Sequence, residues 1–308
     1  LCGPAIVSNW LHRRRGLGLS IVISSSTLIA IVWSQLSVAL LGAFGTWRDV
    51  ARVEGGIAIL APLCALLFVR EKPEDLGQET DGGATDRQLV DVEPIRRRMA
   101  YKVTRSWTGA QALAHPAFWL VALSATFEIF VFSGLSAHQV KIFEASGLSV
   151  TAAVTIFGLV NTVSGFSRLI GGWISDLVEA RYLMALFQLV LGFGLVVFAL
   201  LYMWSGALYV YLIAVGLANG EIYLMTAVIF TNYFGTKAYP VLGGVSTPLQ
   251  SLFGGAAPVV VGAMLDRLGS FVPVLIALAL VNTAAAIMAL LARPPHTHTA
   301  PALQPAMQ

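Results

Sequence analysis

Arg168, Glu128 and Glu221 are the residues whose types promise chemistry, because each stands inside a long apolar run. Arg168 lies in Ala152–Arg181, AAVTIFGLVNTVSGFSRLIGGWISDLVEAR. An arginine placed in hydrocarbon costs about 2.5–3.5 kcal/mol on insertion scales, so it faces a bundle interior or a wet cavity. A guanidinium stays charged and can grip a carboxylate through two parallel hydrogen bonds. Binding of an anionic group is therefore the first chemistry to expect, with snorkelling or an internal ion pair as the plain structural alternative. Glu128 and Glu221 stand in the middle of their own apolar runs, where a carboxylate suits proton coupling or pairing with Arg168. Asn161 and Ser164 precede Arg168 by seven and four residues, so they share its helix face. Gln250, with Thr247 three residues before it, is a weaker candidate of the same kind.

The elements that must position these groups are membrane spans. The chain has 308 residues, 57% hydrophobic and 11% charged, with mean hydropathy +0.77. A soluble domain carries about 25% charged residues. Apolar runs long enough to cross a bilayer as helices recur at Leu17–Leu41, Val50–Val69, Ala117–Ala137, Thr151–Ile174, Leu183–Met203, Leu208–Phe230, Val241–Leu265 and Phe271–Leu291. The runs are continuous rather than alternating, which excludes a transmembrane barrel. The expected fold is all-α, a polytopic membrane helix bundle in contact with lipid. Cys2 and Cys64 both fall in apolar runs and suggest neither a metal site nor a disulfide framework. No nucleophile–base pair, nucleotide loop or metal-ligand spacing is present, so no enzymatic activity, cofactor or metal is expected. His296 and His298 in the tail read as solvated side chains.

Four stretches organise the chain. Residues 1–69 open with the last turns of a helix, Leu1–Trp10, and contain two full spans. Residues 70–116 are a polar linker whose second part, VEPIRRRMAYKVTRSW, has the makings of a basic amphipathic helix on a membrane surface. Residues 117–292 hold six spans, and 293–308 form a Pro- and Ala-rich tail. The His12–Arg15 cluster, the linker, the Asp176–Arg181 turn, Lys237 and Arg293 concentrate the basic residues on one side, against Arg48, Arg52, Lys141 and Arg267 on the other. By the positive-inside rule the first side, tail included, is cytoplasmic. The net charge of +3 marks topology and gives no reason to expect nucleic acid. Two stretches, Leu17–Trp47 and Val241–Phe271, leave the linker side, cross, and turn at once at Gly-Thr-Trp and Gly-Ser-Phe, which hints at an internal repeat with a site between the copies.

The stretch GGWISDLVEAR resembles the signature of the major facilitator superfamily, with Gly172, Asp176 and Arg181 matching and Leu177 and Ala180 departing from it. RRRGLGL, GTWR, FWLVAL, YFGTKAYPVLGG and GAAPVVVGAMLDRLGS are further matches, spread over nearly the whole chain. The resemblance implies a major facilitator fold of twelve helices in two halves, here an amino-terminally truncated fragment lacking helices 1–3 and most of helix 4. It also implies gating at the cytoplasmic turn by Gly172, Asp176 and Arg181, the last two through charge pairing that forms in one state and is released in another. Within the superfamily the chain is similar to the oxalate/formate antiporter and monocarboxylate porter group, through FW after the linker, His138 before a short outer loop, Gly147-Leu148-Ser149, and Ser167-Arg168-Leu169. That similarity implies a substrate carboxylate bound by Arg168. Oxalate antiporters carry a second basic residue in a helix matching Val241–Leu265, which here has no Lys or Arg, and this argues against a dianion. The expected function is secondary transport of a small organic anion of monocarboxylate type, coupled to a proton or a counter-anion. The expected location is the plasma (inner) membrane. An efflux carrier for drugs or other amphiphiles is the rival within transport, weakened because SIVISSSTLIAIVWSQLSVAL lacks the Gly and Pro of drug antiporters. A receptor without turnover is the rival outside it.

Overall fold

The computed structural model describes residues 6–7, 9–11, 15–70, 72–78, 101, 103 and 107–295. Cys2, most of the His12–Arg15 cluster, most of the linker and the tail histidines lie outside the described residues. Within them the regular structure is helical: α1 (Arg15–Phe44), α2 (Trp47–Phe68), the short α3 (Gly109–Ala114), α4 (Pro116–Ala145), α5 (Val150–Ser175), α6 (Ala180–Leu201), α7 (Ser205–Phe234), α8 (Tyr239–Leu268) and α9 (Phe271–Leu291). Seven of these, α2 and α4 to α9, are long and apolar enough to cross a membrane. The eight apolar runs of the sequence each fall on one long helix, α1 included.

Helix boundaries follow local chemistry. Pro116 opens α4, where its missing N–H costs nothing. Ser149 caps α5 by accepting the N–H of Ala152 at 3.3 Å. Gly147 takes a positive φ of 98° in the turn between α4 and α5, a conformation open to glycine. Helix α4 runs to Ala145, past the boundary expected near Ala137, so His138 lies within the helix rather than in a loop. The basic stretch expected to be an amphipathic helix is not helical at Tyr101, Val103 or Trp107, its described residues.

Helices α4 to α9 pack as a bundle with two apolar cores. One core, at the end where the linker enters, gathers Phe118, Met184, Phe230, Tyr233, Phe234 and Ala289. The other, at the opposite end, gathers Phe143, Leu195, Phe198, Tyr211, Val261 and Phe271. Between them, at mid-depth, lies a layer of buried polar side chains that includes Ser124, Glu128, Gln188, Glu221 and Asn282.

Four contacts set the helix spacing around that layer. On α7, Gly216 and Gly220 stand four residues apart, the small-xxx-small spacing that lets helix backbones approach. A Cβ on Gly220 would lie 2.5 Å from the carbonyl oxygen of Ser164 on α5, and one on Gly216 would lie 2.7 Å from Val163. On α8, Pro258 cannot donate to Gly254, and the freed carbonyl accepts the hydroxyl of Ser133 on α4 at 2.7 Å. His138 Nε2 donates to the carbonyl of Pro258 at 2.9 Å, binding the same two helices one turn further on. Helix α1 leans on α5 and α7 rather than on the α4–α8 side.

The α5–α7 approach leaves no room for a branched side chain. We expect Gly220→Val to destabilise the protein by about 1–3 kcal/mol through overpacking, read as a lower midpoint of thermal unfolding in detergent. An unchanged midpoint would show that the two helices are not locked at this crossing.

Candidate functional site

The mid-depth layer joins charged groups from three helices. Arg168 is 8% exposed, and its Nε donates to the carbonyl of Gly220 on α7 at 2.8 Å. Glycine at 220 is what allows that carbonyl so close to α5. Glu221, the next residue, is 1% exposed and interacts electrostatically with Arg168. Its carboxylate lies against the backbone of Gly171, where any Cβ would collide with it. Ser167 Oγ reaches Glu221 Oε1 at 3.2 Å and the carbonyl of Leu217 at 2.7 Å. Glu221 Oε2 is buried without a hydrogen-bond partner among the described residues.

Glu128 on α4 is 2% exposed and lies within electrostatic range of Glu221. Gln188 on α6 donates from Nε2 to Glu128 Oε2 at 3.0 Å. Ser124, one turn before Glu128, lies 3.0 Å from the same Nε2 and donates to the carbonyl of Ala285 on α9 at 2.8 Å. Asn282 on α9 donates to the backbone carbonyl of Gln188. Glu128 is thus carried on a hydrogen-bonded frame that ties α4, α6 and α9, while Arg168 comes from α5 and Glu221 from α7.

The structure brings Arg168, Glu128 and Glu221 into one polar layer, with Ser164 buried at the α5–α7 contact. It does not bring all the candidates together. Asn161 is exposed, and its Nδ2 donates to the carbonyl of Phe157 one turn earlier in its own helix. Gln250 is buried on α8 but takes no part in the hydrogen bonds of the layer among the described residues. Gln188, Ser124, Asn282 and the Gly216–Gly220 pair are not singled out from the sequence, and Ser167 enters only as part of the Ser167-Arg168-Leu169 motif. Two of these left a readable trace: Gln188 is a lone amide within the apolar run Leu183–Met203, and GLANG spells the small-xxx-small spacing.

The turn from Gly172 to Arg181 sits at the linker end of the bundle. Gly172 is buried in the last turns of α5, and its carbonyl accepts Ser175 Oγ at 2.8 Å. Asp176 Oδ2 accepts the backbone N–H of Leu17 at 3.1 Å, in the first turn of α1. A carboxylate there meets unsatisfied N–H groups and the positive end of the helix dipole. Arg181 meets Glu179 at 2.8 Å and donates from Nη2 to the hydroxyl of Tyr182 at 2.7 Å. In this structure Asp176 contacts the start of α1 and Arg181 pairs with Glu179. Glu179 Oε1 also accepts the hydroxyl of Tyr233 on α7 at 2.8 Å.

Long apolar helices around a buried charged layer define an integral membrane protein. Residues 2–258 match the family model of the Major Facilitator Superfamily. The chain belongs to that superfamily. It is similar to the MFS-type transporter pynF of Aspergillus niger, 26% identical over 173 residues, covering 56% of this chain and 34% of that protein. It is also similar to the MFS-type transporter pytF of Aspergillus terreus, 25% identical over 174 residues, covering 55% of this chain and 49% of that protein. The chain thus spans about half the length, or less, of the curated relatives it matches.

Gln188 is the donor that holds Glu128 in place. We expect Gln188→Leu to leave that carboxyl without its amide partner and to destabilise the bundle by about 1–3 kcal/mol. Thermal unfolding of the purified protein reads this directly. A midpoint equal to the parent's would mean that Glu128 does not depend on Gln188.

Proposed function

We propose that the protein is a secondary active transporter that carries a small organic anion of monocarboxylate type across the membrane by alternating access. The single observation that supports this most is Arg168, a permanent cation at mid-depth whose neighbours are a backbone carbonyl and the carboxyl of Glu221. An arriving carboxylate competes with Glu221 for the guanidinium, and bidentate geometry favours a planar carboxylate. The layer carries the carboxyls of Glu128 and Glu221 against one guanidinium. Charge balance in low dielectric therefore calls for a proton, or a counter-anion exchange, with each turnover. The names of the two curated relatives, both MFS-type transporters, support transport in general.

The gating part of this reading rests on Asp176, which clasps the start of α1 at the linker end. Opening that end requires the carboxylate to leave the helix N-terminus, and closing restores it. The lysine and arginine asymmetry supports a cytoplasmic location for this end. An efflux carrier for amphiphiles is the second reading. The exposed aromatic Tyr223, which interacts electrostatically with Arg168, is the feature that favours it, because an aromatic surface beside a charge also suits an amphiphile.

Uptake of radiolabelled short monocarboxylates into proteoliposomes holding the full-length protein decides between them. We expect Arg168→Gln to lower uptake at least about tenfold, since one charge-assisted hydrogen bond contributes about 1.5–3 kcal/mol. Unchanged anion uptake in that variant, with loss of dye or drug export, would favour the amphiphile reading.

A further inference from the structure

The linker re-enters the bundle through an aromatic box whose third wall is a histidine. Trp107 packs edge-on against His115, with ring centroids 5.6 Å apart, and against Phe234 at 5.7 Å. His115 and Phe234 complete the box at 6.0 Å. The backbone follows the same path: the N–H of Val103 donates to the carbonyl of Asn232 at 2.8 Å, and that of Trp107 to Phe234 at 3.1 Å. Tyr101 adds an edge-on contact with Tyr233 and a hydrogen bond to the carbonyl of Pro295 at 2.8 Å.

His115 is also the N-cap of α4. Its Nδ1 accepts the N–H of Ala117 at 3.2 Å, which requires Nδ1 to be unprotonated. Protonation would convert that acceptor into a donor aimed at another donor. It would also place a positive charge at the positive end of the α4 dipole. The cap depends on the neutral ring, and the box and the linker contact depend on the ring orientation that the cap fixes.

We propose that His115 is a pH-sensitive latch that holds the incoming linker at Trp107 against the ends of α4 and α7 while its imidazole is neutral, and lets go when it is protonated. Trp107 faces the ring from the linker and Phe234 from α7. On the near side, α3 supplies the carbonyl of Ala112, which accepts the N–H of His115. None of these groups titrates or carries charge. Burial pushes the imidazole below its ordinary value, in the direction the geometry requires. The sign follows from the linkage: a group whose pKa is depressed by docking stabilises the docked state above its free value, about 6.5, and loses that contribution as pH falls. Acidification at this end would therefore free the linker, whichever solute is carried.

Hydrogen exchange of the full-length protein in detergent tests this. The readout is protection of the peptide covering residues 101–108, corrected for the intrinsic pH dependence of exchange. Between about pH 7.5 and about pH 5.5, a span that brackets the free histidine value, we expect protection in the parent to fall at least about threefold. His115→Asn keeps an oxygen that can cap α4 but cannot titrate, so its protection should not change with pH, whatever its absolute level. Constant protection in the parent would overturn the latch, and so would an equal fall in His115→Asn.

Discussion

Charge held at mid-depth between two apolar cores is the constraint from which the rest of the bundle follows. Arg168, Glu128 and Glu221 sit where water cannot reach them freely, and each such group would be very costly alone. The protein meets the cost with partners from different helices: Gly220 and Glu221 on α7 for Arg168, Gln188 on α6 for Glu128. Those partners have to be close, and closeness dictates small residues. Gly171, Gly216 and Gly220 are glycines because a carboxylate, the Val163 side chain and backbone, respectively, occupy the space a side chain would fill. The polar layer thus specifies the α5–α7 crossing, and the apolar cores above and below supply the bulk of the burial.

The α4–α8 pair solves a similar problem with different means. Proline inside α8 breaks the backbone ladder, yet the freed carbonyl of Gly254 is not left bare, because Ser133 reaches it from α4. His138 adds a second side-chain bond at the carbonyl of Pro258. A helix with internal prolines is easier to bend than an unbroken one. Here the backbone bond lost at Pro258 is replaced by a side chain, so the carbonyl of Gly254 is not left unsatisfied within the bundle.

Much of this is legible in the sequence. Long apolar runs without alternation leave helices as the only spanning structure, so α1, α2 and α4 to α9 could be placed from hydropathy alone. Arg168, Glu128 and Glu221 stood out because charge inside apolar sequence is conspicuous. Their partners were harder to see. Ser124 and Asn282 are ordinary polar residues at unremarkable spacing, and only the packing of α4, α6 and α9 makes them neighbours. Sharing a helix face with Arg168 likewise did not decide the place of Asn161. Periodicity gives the face, but the amide had a closer acceptor in the carbonyl of Phe157. The end of α4 was misplaced at the histidine because His138 looks like a boundary in one dimension, whereas in three it is a cross-link to α8.

The linker end of the bundle shows how separate contacts become one mechanical unit. Asp176 fastens the turn after α5 to the start of α1. Three residues later, Glu179 accepts the hydroxyl of Tyr233 at the end of α7. Tyr233 in turn supports Tyr101 of the linker, and Tyr101 reaches Pro295 beyond α9. A displacement of α7 at this end must therefore strain the linker, the α5–α6 turn and the residues after α9 together. Each contact is modest: the neutral hydrogen bond contributes about 0.5–1.5 kcal/mol and those to the carboxylates about 1.5–3 kcal/mol. Because they share Tyr233 and Glu179, however, losing one weakens the next, and the end of the bundle is better placed to switch as a body than to fray helix by helix.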